Sequence, residues 1–433
     1  MTRIRKVLLS RPVLAWALYD WANSAFATTV MAGFFPIFYS TLSQDLTIKE
    51  SQFWFNVTLA VSSIAIAIAA PILGAIADSG GGRRKFLATF AMLGIIMAAG
   101  LAWVQAGMWW LGLLFYGLGK MGFAGANIFY DAMLLDVAEE EDLDLVSGYG
   151  YALGYVGGGL LFAVNVLMVL NPGWFGLQDA ATAVSASFIS VAIWWAAFSI
   201  PLFISTRGGT ATRSDLSGMG LIKKGFAELF ETFREIRQFK MLLLFLVGYW
   251  LYIDGVGTII KTAVFFGSRV LELPRESLIT ALLLTQFVAF PAALFFGWLG
   301  KKIGPKAGIL IGLAVYFGVI IYAWKWLHTG ADFYNLAIAI GLVQGGVQSL
   351  SRSLYARLIP KSRATEFFGF YNMVGKFASI LGPLLMTLVV IIIPGATERD
   401  SILALLLLFG VGGFLVCRVD IERGMSTAAR HDQ

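Results

Sequence analysis

The chain has 433 residues, 58% of them hydrophobic and only 13% charged, with a mean hydropathy of +0.78. A soluble domain carries roughly a quarter charged residues, so these values exclude that class and indicate a polytopic membrane protein. The net charge of +6 is then a topology signal rather than a sign of nucleic-acid binding, and the single Cys417 excludes an internal disulfide or a cysteine-based metal site. Two histidines, His328 and His431, leave little for a His-ligated metal, and no cofactor is expected.

Apolar runs of helical length fall at roughly 13–41, 53–78, 86–105, 108–137, 147–170, 182–205, 241–267, 276–300, 307–327, 333–358, 366–393 and 400–418. Twelve membrane-spanning helices are predicted, not a barrel, because the runs lack the alternation of lipid-facing strands. The basic N-terminus MTRIRKVLLSRP leads into no short apolar core with a small-residue cleavage site, so the first span is expected to be retained. With that terminus inside, the cytoplasmic segments hold Arg83, Arg84, Lys85, Lys301, Lys302, Lys306, Lys361, Arg363 and the 206–240 connection. The opposite side holds Lys49, Arg269, Arg275, Lys325 and Arg399. This asymmetry places both termini in the cytoplasm.

The first span contains WALYDWANSAFATTV, in which Asp20, Asn23 and Ser24 stand at i, i+3 and i+4 and Thr28 extends the same face. A polar stripe on an apolar helix predicts a water-filled cavity or a partner helix. On the fourth span Lys120, Asn127 and Asp131 share one face. Asp254, Thr258 and Lys261 do so on the seventh, and Gln344, Gln348 and Arg352 on the tenth, while Lys376 lies in the eleventh. Opposite charges at Asp131 and Arg352, and at Asp136 and Arg357, predict a gate or latch between the halves. Lys120, Lys261 and Lys376 have no charged counterpart in the other half, which favours substrate contact. The connection 206–240 places Ile222, Phe226, Leu229, Phe233 and Ile236 at helical spacing among charges, predicting an amphipathic helix on the membrane face or against the bundle.

Asp20 and Asp254, and Thr28 and Thr262, are separated by the same 234 positions. Gly125 and Gly346, Asp131 and Arg352, Asp136 and Arg357, Gly148 and Gly369, and Gly154 and Gly375 keep an offset of 221. With Gly74 and Asp78 after the second span repeated as Gly297 and Lys301 after the eighth, such matching along four helix pairs predicts an internal duplication. The domains expected are a six-helix bundle over 1–205, the linker 206–240, and a second bundle with a short tail over 241–433.

The loop GAIADSGGGRRK, from Gly74 through Asp78 to Lys85, resembles the loop between spans two and three of the major facilitator superfamily, with Ser79 where a basic residue is usual. It has an echo at Gly297 and Lys301. Gly150, Gly154, Gly158 and Gly159 follow the glycine spacing of that superfamily's antiporter signature, with Tyr155 in place of proline. LYDWANSAFATT, LYIDGVGTI and GGVQSLSRSLYARLIPKSRATEFFGFY together resemble the autophagy-related vacuolar amino-acid effluxer family and its bacterial relatives. Gly257 stands where that pattern has glutamine.

The resemblance implies an all-α polytopic membrane protein, with twelve transmembrane helices in two pseudo-symmetric six-helix bundles. It implies a secondary active transporter working by alternating access. Such a carrier is expected to export a small zwitterion such as an amino acid, and protons are a candidate coupling ion. The substrate-binding or proton-coupling candidates are Asp20, Asn23, Lys120, Asn127, Asp254, Lys261, Gln348 and Lys376; Asp78, Asp131, Asp136, Arg352 and Arg357 are gating or interhelical candidates. A drug or lipid exporter of the same fold is the alternative, and a non-transporting receptor or scaffold a further one. No phosphate-cradling loop or nucleophile–base pair supports an enzyme. The expected partners are a small-molecule substrate and the lipid bilayer, with no nucleic acid, and the expected state is a monomer in the cytoplasmic membrane.

Overall fold

A computed structural model describes residues 2–205, 234, 236–378 and 380–432. Every regular element among these residues is helical. The long helices are α1 (Arg11–Leu42), α2 (Ile48–Gly80), α3 (Arg83–Trp103), α4 (Trp109–Ala132), α5 (Leu143–Leu170), α6 (Ala180–Ser205), α7 (Lys240–Arg269), α8 (Arg275–Ile303), α9 (Pro305–Trp326), α10 (Gly330–Arg357), α11 (Ala364–Ile392) and α12 (Glu398–Cys417). A short α13 (Ile421–Arg430) follows. Ten of the twelve are long and apolar enough to cross a membrane. The other two, α4 and α10, are as long but carry Lys120, Asn127 and Asp131 or Gln344, Gln348 and Arg352, the polar stripes expected of helices that do not face lipid alone. The amphipathic helix expected in the 206–240 connection falls largely on 206–233, outside the described residues.

The chain divides into two compact units, Met1–Val137 with Leu153–Ala227 and Ala138–Ala152 with Glu228–Gln433. In the first, α1 packs on α6, α2 on α4, and α3 on both α4 and α6. In the second, α7 packs on α12, α8 on α10, and α9 on both α10 and α12. The same order of partners recurs six helices later, as an internal duplication requires.

With lipid no less apolar than the side chains, close backbone approach holds such helices together. Gly148, in the first turns of α5, lies against Gly297 of α8; a Cβ there would stand 2.8 Å from the Ala293 carbonyl and the Gly297 Cα. Gly248 and Gly412 make another close approach, between α7 and α12.

Two spans depart from regular α-helix. Over Phe26–Phe34, α1 widens into π turns just before Pro36. Proline offers no N–H to the turn before it and its ring crowds that turn's carbonyl, which accounts for the altered register. Thr28 lies within hydrogen-bond distance of the Ser24 carbonyl (3.0 Å) and of the Gly158 carbonyl on α5 (3.1 Å). α11 is interrupted between Phe377 and Leu381, with Ala378 turned to ψ 73°. Between α5 and α6, the Thr182 backbone N–H and hydroxyl bond Asp179 and hold its carboxyl below the ordinary carboxylate range.

Gly148→Val is expected to lower the melting temperature in detergent, from overpacking of about 1–3 kcal/mol. Gly318→Ala, whose Cβ would meet nothing within 4 Å, is expected to leave it unchanged or slightly raised. Equal melting temperatures for both variants would remove backbone contact as the reason for Gly148.

Candidate functional site

In the first unit the polar stripes of α1 and α4 face each other. Asn23 donates to Asn127 at 2.6 Å, and the Tyr130 hydroxyl donates to Asp20 Oδ2 at 3.2 Å. Ser24, one turn on from Asp20, donates to Oδ1 at 3.2 Å. Trp16 fixes Tyr130 by stacking on its ring at 4.5 Å and donating to its carbonyl at 2.9 Å. Asp20 is half-buried and rests on α5 at Gly154, where a Cβ would come within 2.9 Å of the carboxylate. Lys120 reaches from α4 to α2, donating to Ser63 Oγ at 2.7 Å and to the Leu59 carbonyl at 3.1 Å.

Asp254 occupies the equivalent place in the second unit, and Thr258 donates to its Oδ1 at the same 3.2 Å. Its surroundings differ. The carboxylate accepts the backbone N–H groups of Ile380 (3.1 Å), Leu381 (2.9 Å) and Gly382 (2.9 Å), where α11 resumes after its break. A helix begins with unbonded amides and a positive dipole end, and inside a membrane no water satisfies them. Pro383 has no N–H of its own and tolerates the first turn, so Asp254 receives the amides this terminus has to offer. It is 0% exposed. In this structure the Asp254 carboxylate is a buried helix cap. Gly382 is needed there, since a Cβ would run into the Thr258 side chain.

The charged groups near the helix ends form two networks. Arg83 bridges Asp78 (3.0 Å) and Asp136 (2.9 Å) in the first unit. In the second, Asp144 on the first turn of α5 accepts from Arg357 at 2.9 Å and from Ser353 at 2.5 Å. Lys301 pairs with Asp142. Ser147 donates to the Ser349 carbonyl at 2.8 Å and accepts from Arg352 Nε at 3.0 Å, and the Arg352 guanidinium lies over the Tyr151 ring at 4.4 Å. Arg83 takes Asp136; Asp144 takes Arg357, because Ser349, Ser353 and Arg357 follow one another at a turn's spacing on α10 and present a single face to the start of α5.

Of the remaining candidates, Asp131 is buried on α4, Gln348 and Lys376 are half-buried on α10 and α11, and Lys261 is exposed on α7. Tyr130, Asp142, Asp144 and Ser147 were not singled out in the sequence. The acidic run Glu139 to Asp144 was the available signal for the two aspartates.

A family model described as Vacuole effluxer Atg22 like matches residues 47–429. The chain is 38% identical over 411 residues to an uncharacterized MFS-type transporter, YxiO, of Bacillus subtilis, covering 94% of each. It is 28% identical over 309 residues to Autophagy-related protein 22 of Yarrowia lipolytica, which covers 65% of this chain but 51% of that one, so it spans about half that relative's length. Among solved structures it is similar to the major facilitator superfamily transporter FucP in the outward conformation (TM-score 0.68, 10% identity, 96% of this chain and 100% of that one). It is also similar to the proton:xylose symporter XylE (TM-score 0.64, 14% identity, 96% and 95%). At these identities the likeness carries the fold alone, the twelve-helix major facilitator fold.

Asp254→Ala is expected to uncap α11 and destabilise the protein by about 1–3 kcal/mol, with Asp254→Asn intermediate. Thermal unfolding checks this, and an unshifted midpoint for the alanine variant would remove the capping role. Arg357→Gln leaves Asp144 as an unpaired buried charge, at about 3–5 kcal/mol. Adding Asp144→Asn should recover part of that loss, whereas a double variant no more stable than the single would exclude the pair as its cause.

Proposed function

We propose a transport mechanism from one premise: the chain belongs to the Atg22-like vacuole effluxer family. It is accordingly a multi-pass membrane transporter of the major facilitator type, acting on small molecules. In the proposed mechanism it is a secondary carrier of small zwitterions such as amino acids. Bundles 1–205 and 241–433, joined by the 206–240 linker, rock about a midplane site, and both termini lie in the cytoplasm. It exports its solute across the cytoplasmic membrane, acts as a monomer and is coupled to protons.

The observation that supports this most directly is the half-buried Asp20, held by Ser24 and Tyr130 beside the Asn23–Asn127 pair inside an apolar span. A carboxylate there has two uses in a zwitterion carrier: it meets the substrate's ammonium group, or it takes up the coupling proton. Asp254 is committed to α11, so the two aspartates related by the duplication are not interchangeable, and the role falls to Asp20. The substrate carboxylate is met by a lysine that breaks the pseudo-symmetry, Lys120 or Lys261. The Arg83 and Arg357 networks serve as the gate.

The test is flux in proteoliposomes with and without a pH gradient, using a panel of amino acids. The native protein should show gradient-driven flux, and Asp20→Asn should lose the gradient-driven component while still folding. Unchanged gradient-driven flux in that variant would remove Asp20 from coupling. No amino-acid flux, together with competition by amphiphiles, would favour the drug- or lipid-exporter alternative.

A further inference from the structure

The second unit carries a basic cleft that no transport role uses. α13 lies across the start of α7: Gly424 and Ala428, one turn apart, are buried, and a Cβ at Gly424 would press on Leu358 and Met241. Arg423, Thr427 and Arg430 follow at i, i+4 and i+7 and form the adjoining stripe. With Lys240 from the start of α7, Gln238 just before it, and Ser426, they line a cavity of about 330 Å³.

The acids at either end of α13 are engaged elsewhere. Asp420 accepts the Arg423 backbone N–H at 3.1 Å, capping the helix. Asp432 accepts the backbone N–H groups of Lys361 (2.8 Å) and Ser362 (2.9 Å). Among the described residues, none of Lys240, Arg423 and Arg430 is in an ion pair. Three cations that are in no ion pair thus line one open cleft, in which the Ser426 and Thr427 hydroxyls each donate to the Arg423 carbonyl at 2.9 Å. Two of them are guanidinium groups, whose fork of donors matches a phosphate. The place is where α7 begins and α12 ends, at the boundary of the apolar spans, the depth at which lipid headgroups lie.

We propose that this cleft binds a phosphate-bearing anion, either the headgroup of an anionic phospholipid or free phosphate. The ligand joins α13 to the start of α7 and so ties the tail to the second bundle. Because the cleft shares no residue with the Asp20 cluster, the proposal stands or falls independently of the transport reading.

The test uses the full chain in two arms. In nanodiscs of phosphatidylcholine with or without phosphatidylglycerol, native mass spectrometry reads the lipid retained. In phosphatidylcholine nanodiscs alone, the melting temperature is followed against inorganic phosphate, with chloride at equal ionic strength as control. The native protein should retain phosphatidylglycerol selectively or be stabilised by phosphate. The Arg423→Ala/Arg430→Ala variant should lose about fivefold in apparent affinity per arginine. Arg423→Lys, which keeps the charge, should lose less. Both arginines are exposed, so the double variant should melt like the native protein in phosphatidylcholine without phosphate. Selective lipid retention without a phosphate response identifies a headgroup, and phosphate that displaces the lipid identifies the free anion. Equal retention by native and double-variant protein, or no response of the native protein to either probe, overturns the proposal.

Discussion

A polar group inside a membrane span has no water to bond, so its partner must come from the protein. That constraint shapes each departure from a plain bundle here. Where Leu381 starts a new helical segment in α11, the amides at its beginning are met by the carboxylate of Asp254, from a residue more than a hundred positions away. Lys120 on α4 bonds a serine and a carbonyl of α2. Arg357 and Asp144 are matched within 2.9 Å, with Ser353 taking the second carboxylate oxygen.

The same constraint explains how a duplicated protein became asymmetric. Asp20 and Asp254 are alike in position, and each accepts from a hydroxyl four residues on at 3.2 Å. Each lies against a glycine, Gly154 or Gly382, on the fifth helix of its half. They differ because α5 is continuous while α11 is broken. A continuous helix keeps its amides in its own ladder and leaves Asp20 to side-chain donors; a broken one presents amides that bind the carboxylate firmly. One copy of the motif became structural, and the other stayed half-buried among polar side chains.

The first turns of α5 show the reverse relation between chain order and packing. Residues Ala138–Ala152 precede the middle of the chain, yet they belong with the second compact unit. Asp142, Asp144 and Ser147 meet Lys301, Arg357, Ser353 and Arg352 there, and Gly148 meets Gly297. Charge pairing and close glycine contact act on the same two turns of helix.

The membrane class, the helical spans and the duplication were legible in the sequence, as was the polar stripe shared by α1 and α4, because hydropathy and periodicity are local properties of the chain. The glycine loop and the three longer stretches also sufficed to resemble the right family. Within each unit Asp136 pairs with Arg83 and Arg357 with Asp144, partners that hydropathy and periodicity do not indicate. Only the tertiary structure decided that Asp254 is a cap and Asp20 is not. A carboxylate looks the same in either sequence context, and its role is set by donors that distant turns of the chain bring to it.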